Sequence, residues 1–168
     1  EFENNFTSIS LDPSNSFFNF LNYFSLFLYL IIFKSIFYKI SHIMNFYYFL
    51  TLLGAVTSCV AVYLYLIGNP DFLFINNLSY KGSATGFFIN RTVFSCFLVL
   101  SLFSGIEYLR NLDIFKKDTI DNFFKKIYLR IFILLITIGI ITSFSRLGNF
   151  LFISLIIIYL IKSLFFDE

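Results

Sequence analysis

Two arginines in this chain stand next to or within strongly apolar segments, where cations are rare. Arg91 lies about one turn inside an apolar segment at 86–109, and Arg146 follows directly after another at 128–145. A guanidinium inside a membrane-spanning helix costs about 2.5–3.5 kcal/mol, so it normally faces a cavity or a partner. Both arginines are therefore candidates for a function that needs a fixed positive charge.

Neither arginine has a carboxylate close to it in the sequence. Glu107 lies about four helical turns from Arg91 and three residues before Arg110, so a local ion pair with Arg110 is the simpler expectation. Two forked, permanently charged guanidiniums at one membrane depth could bind a diphosphate bidentately. The alternative is that both side chains snorkel to lipid phosphates at the membrane surface.

The composition indicates which elements must position these arginines. The chain is 58% hydrophobic and 13% charged, whereas about 25% of residues are charged in an ordinary soluble domain. The apolar residues fall in blocks long enough for a helix to cross the hydrocarbon, which takes about 20 residues. We therefore predict an all-α fold, a polytopic membrane bundle of about five transmembrane helices, at 17–33, 46–68, 86–109, 128–145 and 150–166.

The placement of cations predicts the orientation of the bundle. The connectors at 34–45 and 110–130 hold two and six Lys or Arg residues, whereas those at 1–16 and 69–85 hold none and one. Cation-rich loops stay on the cytoplasmic side. The end that carries residue 1 is thus expected to face the exterior, and with it Arg91 and Arg146.

Small residues at helical spacing predict where the helices touch. Gly54 and Ser58 are four positions apart in the second span, as are Ser101 and Gly105 in the third. Small residues let helices approach closely in lipid. We therefore predict a compact bundle, with packing as the default role of these residues.

Three short motifs occur in an order that resembles one membrane-protein family. Ser8-Ile-Ser-Leu-Asp-Pro13 precedes the first span, Gly86-Phe-Phe-Ile-Asn90-Arg91 opens the third, and Thr142-Ser-Phe-Ser-Arg146 ends the fourth. This series is similar to that of the O-antigen ligases and polymerases, and it covers nearly the whole chain.

The resemblance implies a metal-independent glycosyl transfer in lipopolysaccharide biosynthesis, on the outer face of the bacterial cytoplasmic (inner) membrane. A glycan would move from an undecaprenyl diphosphate-linked donor to a lipid or glycan acceptor, with no cofactor, metal or nucleic acid. Arg91 and Arg146 would be catalytic by stabilising the diphosphate leaving group, and Gly86, Asn90 and Ser145 would contact substrate.

The family usually has a catalytic His on a large exterior loop, and no residue of this chain matches it. His42 is expected on the opposite side of the membrane. We therefore interpret residues 1–168 as a single transmembrane domain, a fragment of a longer protein that is inactive alone. Two alternatives stay open: a segment of a multi-pass transporter or flippase, and a noncatalytic membrane subunit.

Overall fold

A computed structural model of the chain describes residues 13–70, 81–115 and 120–166. Every regular element in these ranges is an α-helix. The chain divides into two compact units, Glu1–Ile43 and Met44–Glu168, and each is described by itself. The helices are α1 Pro13–Ile36, α2 Ile40–Leu66, α3 Arg91–Phe115, α4 Ile120–Thr142 and α5 Arg146–Phe166.

Three of these helices are long and apolar enough to cross a membrane, over Asn15–Ile36, Ile40–Leu66 and Arg91–Leu112. The chain thus has the helices of a membrane protein, and they suit a lipid bilayer. The spans expected at 128–145 and 150–166 fall on α4 and α5, and their crossing of the membrane stays a prediction.

The first unit contains α1 and the turn that follows it. α1 begins at Pro13, four residues before the predicted span, because proline fits the first helical position. Residues 1–12, which include most of the first motif, lie outside the described residues. After α1, the Nδ1 atom of His42 is 3.2 Å from the backbone carbonyl oxygen of Ile36 and closes the short connector.

The basic connector expected at 110–130 is helical over most of its described length. α3 continues to Phe115 and α4 begins at Ile120, so Arg110, Lys125 and Arg130 all lie on helices. Lys and Arg are good helix formers, and neither Gly nor Pro interrupts this part of the chain. The helices therefore extend beyond their apolar segments.

In the second unit, small residues hold α2, α3 and α4 together. A Cβ atom added to Gly54 would lie 2.7 Å from Ser101 Oγ, and one added to Gly105 would lie 2.9 Å from Thr51 Cγ2. Along this contact the residue numbers on α3 decrease as those on α2 increase, so the two helices are antiparallel. The packing predicted for Gly54, Ser101 and Gly105 is confirmed.

The contact between α2 and α4 centres on Ser58. The Ser58 hydroxyl donates a 2.6 Å hydrogen bond to the backbone carbonyl of Leu135. One helical turn further along, a Cβ on Gly139 would overlap the Ser58 hydroxyl. Large apolar side chains fill the space around this contact, and the fully buried ones include Phe94, Leu98, Ile136 and Ile140.

The loop before α3 is fixed to the ends of α2 and α4. α2 ends with Gly68 and Asn69 at positive φ (90° and 52°), a common helix stop. The Asn69 side-chain amide donates to the carbonyls of Lys81 and Ser83, at 2.9 and 2.8 Å. The Ala84 N–H donates to Thr142 O at 2.9 Å. These bonds determine where α3 can start.

Candidate functional site

Arg91 is the first residue of α3. Asn90 caps the helix, because its Oδ1 accepts a 2.8 Å hydrogen bond from the N–H of Thr92, and its carbonyl accepts the first helical bond from the N–H of Phe94 at 3.1 Å. The prediction that Arg91 lies a turn inside the helix was therefore wrong. The chain turns before it, where Gly86 has a φ of +57°.

Arg146 stands at the corresponding position of α5. The Ser145 hydroxyl accepts a 3.2 Å hydrogen bond from the N–H of Gly148, and the Ser145 carbonyl accepts one from the N–H of Asn149 at 2.9 Å. Ser145 is thus the N-cap, and such a cap stabilises a helix by about 1 kcal/mol. α4 already ends at Thr142, so Arg146 begins the fifth helix rather than ending the fourth.

The helices α3 and α5 are parallel neighbours. Near their starts, a Cβ on Gly148 would overlap the side chain of Ser95. Near their ends, the Tyr159 hydroxyl donates a 2.7 Å hydrogen bond to Glu107 Oε1. The contacts occur in the same order along both helices, so Arg91 and Arg146 lie at the same end of the pair.

The electrostatics of this end favour an anion. Arg91 is half-buried and Arg146 is exposed, and each sits on a helix N-terminus, which carries about half a positive charge. The two helix dipoles point the same way, so their positive ends add to the two guanidinium charges. Two guanidinium groups next to two helix N-termini are suited to bind a phosphate or diphosphate group.

Gly86, a predicted substrate contact, is buried in a packing position. A Cβ added to it would lie 3.0 Å from Ala61 Cβ, and its positive φ is unfavourable for any other residue. Gly86 thus allows the loop before α3 to pack closely against α2. Substrate contact by Gly86, Asn90 or Ser145 stays a prediction.

Two residues whose packing role sequence reasoning missed lie where the starts of α3 and α5 meet. The spans predicted at 128–145 and 150–166 leave Gly148 between two helices, but it lies in the first turn of α5 and packs on Ser95 of α3. Both are buried. A glycine three residues after a capping serine, on an otherwise apolar helix, was the available signal.

We predict that Gly148→Ala weakens the candidate site by moving the start of α5 away from α3. The added methyl group has no room beside Ser95. The double variant Ser95→Gly/Gly148→Ala makes that room and should recover most of the lost binding of a polyprenyl diphosphate. Equal binding by Gly148→Ala and the unmodified chain would contradict the close contact.

No group of three or more His, Cys, Asp or Glu side chains within residues 13–70, 81–115 and 120–166 could hold a metal ion. No protein-family model, curated sequence or solved structure matches the chain. The family therefore stays a prediction that rests on the three motifs.

Proposed function

We propose that the chain is the membrane-embedded part of a glycan ligase or polymerase of the cell envelope. It would take a glycan from an undecaprenyl diphosphate-linked donor and transfer it to a lipid or glycan acceptor outside the bacterial cytoplasmic membrane. One observation supports the site above all: Arg91 and Arg146 are the first residues of two parallel, adjacent helices.

The depth of the arginines suits a lipid-linked donor. The apolar stretch of α3 that could cross a membrane begins at Arg91 itself, so in a membrane-spanning α3 the guanidinium would lie at the edge of the hydrocarbon. A polyprenyl diphosphate places its tail in the hydrocarbon and its diphosphate at the same level. Arg146 would lie at nearly the same level, because Gly148 in the first turn of α5 contacts Ser95 in the second turn of α3.

The chemistry that the arginines would assist is the departure of the diphosphate. An acceptor hydroxyl attacks the anomeric carbon of the donor sugar, a new carbon–oxygen bond forms, and the bond to the diphosphate oxygen breaks. Undecaprenyl diphosphate leaves with an additional negative charge, and fixed cations at that oxygen lower the barrier. The hydroxyl proton needs a base, which in the family that the chain resembles is a His on an exterior loop.

A lipid-linked-glycan flippase could use the same anion site without any bond-breaking. The two functions are separated by complementation of three bacterial hosts that lack their own ligase, polymerase or flippase, each carrying the full-length gene. We expect surface glycan, read by gel, to return in the ligase-deficient or polymerase-deficient host. Restoration only in the flippase-deficient host would replace this proposal with the transporter.

A further inference from the structure

A second charged cluster lies at the opposite end of α3 and α5. The Glu107 carboxylate is 3.5 Å from the Arg110 guanidinium and 3.8 Å from the Lys162 ammonium. It also accepts the hydrogen bond from Tyr159. The expected pair between Glu107 and Arg110 is confirmed, but two residues of α5 join it.

Among the side chains that the structure describes, the cluster holds more positive than negative charge. Glu107 supplies one negative charge and its side chain is 14% exposed, whereas Arg110 and Lys162 supply two positive charges and are 38% and 40% exposed. The largely shielded carboxylate thus holds two cations from different helices side by side. Their outer surfaces stay accessible and their hydrogen-bonding capacity exceeds what one carboxylate can use.

The position of the cluster along the helix corresponds to a membrane surface. Arg110 follows Arg91 by about 28 Å along α3, since each residue of an α-helix rises about 1.5 Å, and the hydrocarbon is about 30 Å thick. The rings of Tyr48 and Tyr108 lie at the same end, tilted against each other with their centroids 5.5 Å apart. Tyrosines are typical of the headgroup level.

We propose that Arg110 and Lys162 bind the phosphate of an anionic phospholipid headgroup, with Glu107 and Tyr159 holding the two cations in place. The ligand is a phosphodiester on a lipid that carries a net negative charge. Paired cations between transmembrane helices at headgroup depth are suited to such a group. The site is separate from the arginine pair at the other end of α3 and does not depend on the proposed function.

The test measures thermal unfolding of the chain in a neutral detergent while lipid is added. Phosphatidylglycerol should raise the unfolding midpoint, whereas phosphatidylcholine and inorganic phosphate at equal concentration should not. Each cation contributes about fivefold to affinity (about 1 kcal/mol). Arg110→Gln/Lys162→Gln should therefore weaken the apparent affinity about 25-fold, and Arg110→Lys/Lys162→Arg should retain it.

The matched control is Lys125→Gln/Arg130→Gln, which removes two exposed cations of α4 and should keep the response to phosphatidylglycerol. An equal loss of affinity for phosphatidylglycerol in this control would show that the lipid is attracted to positive charge in general, and it would overturn the proposed site. An equal midpoint rise with inorganic phosphate would overturn the assignment to a lipid. Should the double glutamine variant not fold, the single variants Arg110→Gln and Lys162→Gln carry the same test, with a fivefold loss expected in each.

Discussion

Replacing either Arg91 or Arg146 by alanine in the full-length protein is expected to reduce glycan transfer at least about 100-fold, the usual effect of removing one preorganised donor from a developing negative charge. The two guanidiniums would act on one diphosphate, so the double variant should lose little more than either single one. Transfer is measured as surface glycan per amount of protein in the membrane.

The control for this prediction is Arg130→Ala. It removes the same group from an exposed position on α4 and should leave transfer unchanged. Arg91→Lys keeps the positive charge but lacks the planar guanidinium that donates two parallel hydrogen bonds. It should therefore retain only part of the transfer activity that Arg91→Ala loses. If both alanine variants transfer glycan normally and are present in the membrane in normal amounts, the arginines do not take part in the reaction.

Gly139→Ala is expected to destabilise the bundle, although alanine is the better helix former by about 0.8–1.0 kcal/mol. The new methyl group would lie 2.9 Å from Leu98 Cδ1 and 3.0 Å from Ser58 Cβ, and it would overlap the Ser58 hydroxyl. Ser58 would have to move and give up its bond to Leu135. Overpacking of this kind costs about 1–3 kcal/mol, so the net change should be a lower unfolding midpoint in detergent.

Gly82→Ala is the matched control, because Gly82 is exposed and nothing lies within 4 Å of an added Cβ. It should leave the unfolding midpoint unchanged. A Gly139→Ala variant that is as stable as the unmodified chain, or more stable, would contradict the close contact between α2 and α4.

The positions of the helices could be predicted from the sequence, because apolar length alone decides where a helix can cross a membrane. The ends of the helices could not. The apolar segment at 86–109 includes Gly86, but its positive φ and the cap at Asn90 delay the helix to Arg91. After Leu109 the helix continues through charged residues. A charged side chain restricts how deep in the membrane a residue can lie, but it does not prevent the residue from being helical.

The two arginines could be found from the sequence because a cation beside an apolar segment needs an explanation. Their arrangement on parallel helices could not be derived, since the order in which helices pack is not encoded in any local pattern. The same limit explains why Arg110 was the only partner expected for Glu107, whereas Tyr159 and Lys162 join from α5. Gly148 had a visible signal, but its partner Ser95 lies on another helix.

The measurement that tests the central claim most directly is equilibrium binding of undecaprenyl diphosphate to the purified chain. We expect Arg91→Ala and Arg146→Ala each to weaken binding at least about tenfold, because each removes one of two charge-assisted contacts of about 1.5–3 kcal/mol. Arg110→Gln/Lys162→Gln should bind the diphosphate at the arginine pair as before. Unchanged affinity in both alanine variants would contradict a diphosphate site at the shared end of α3 and α5.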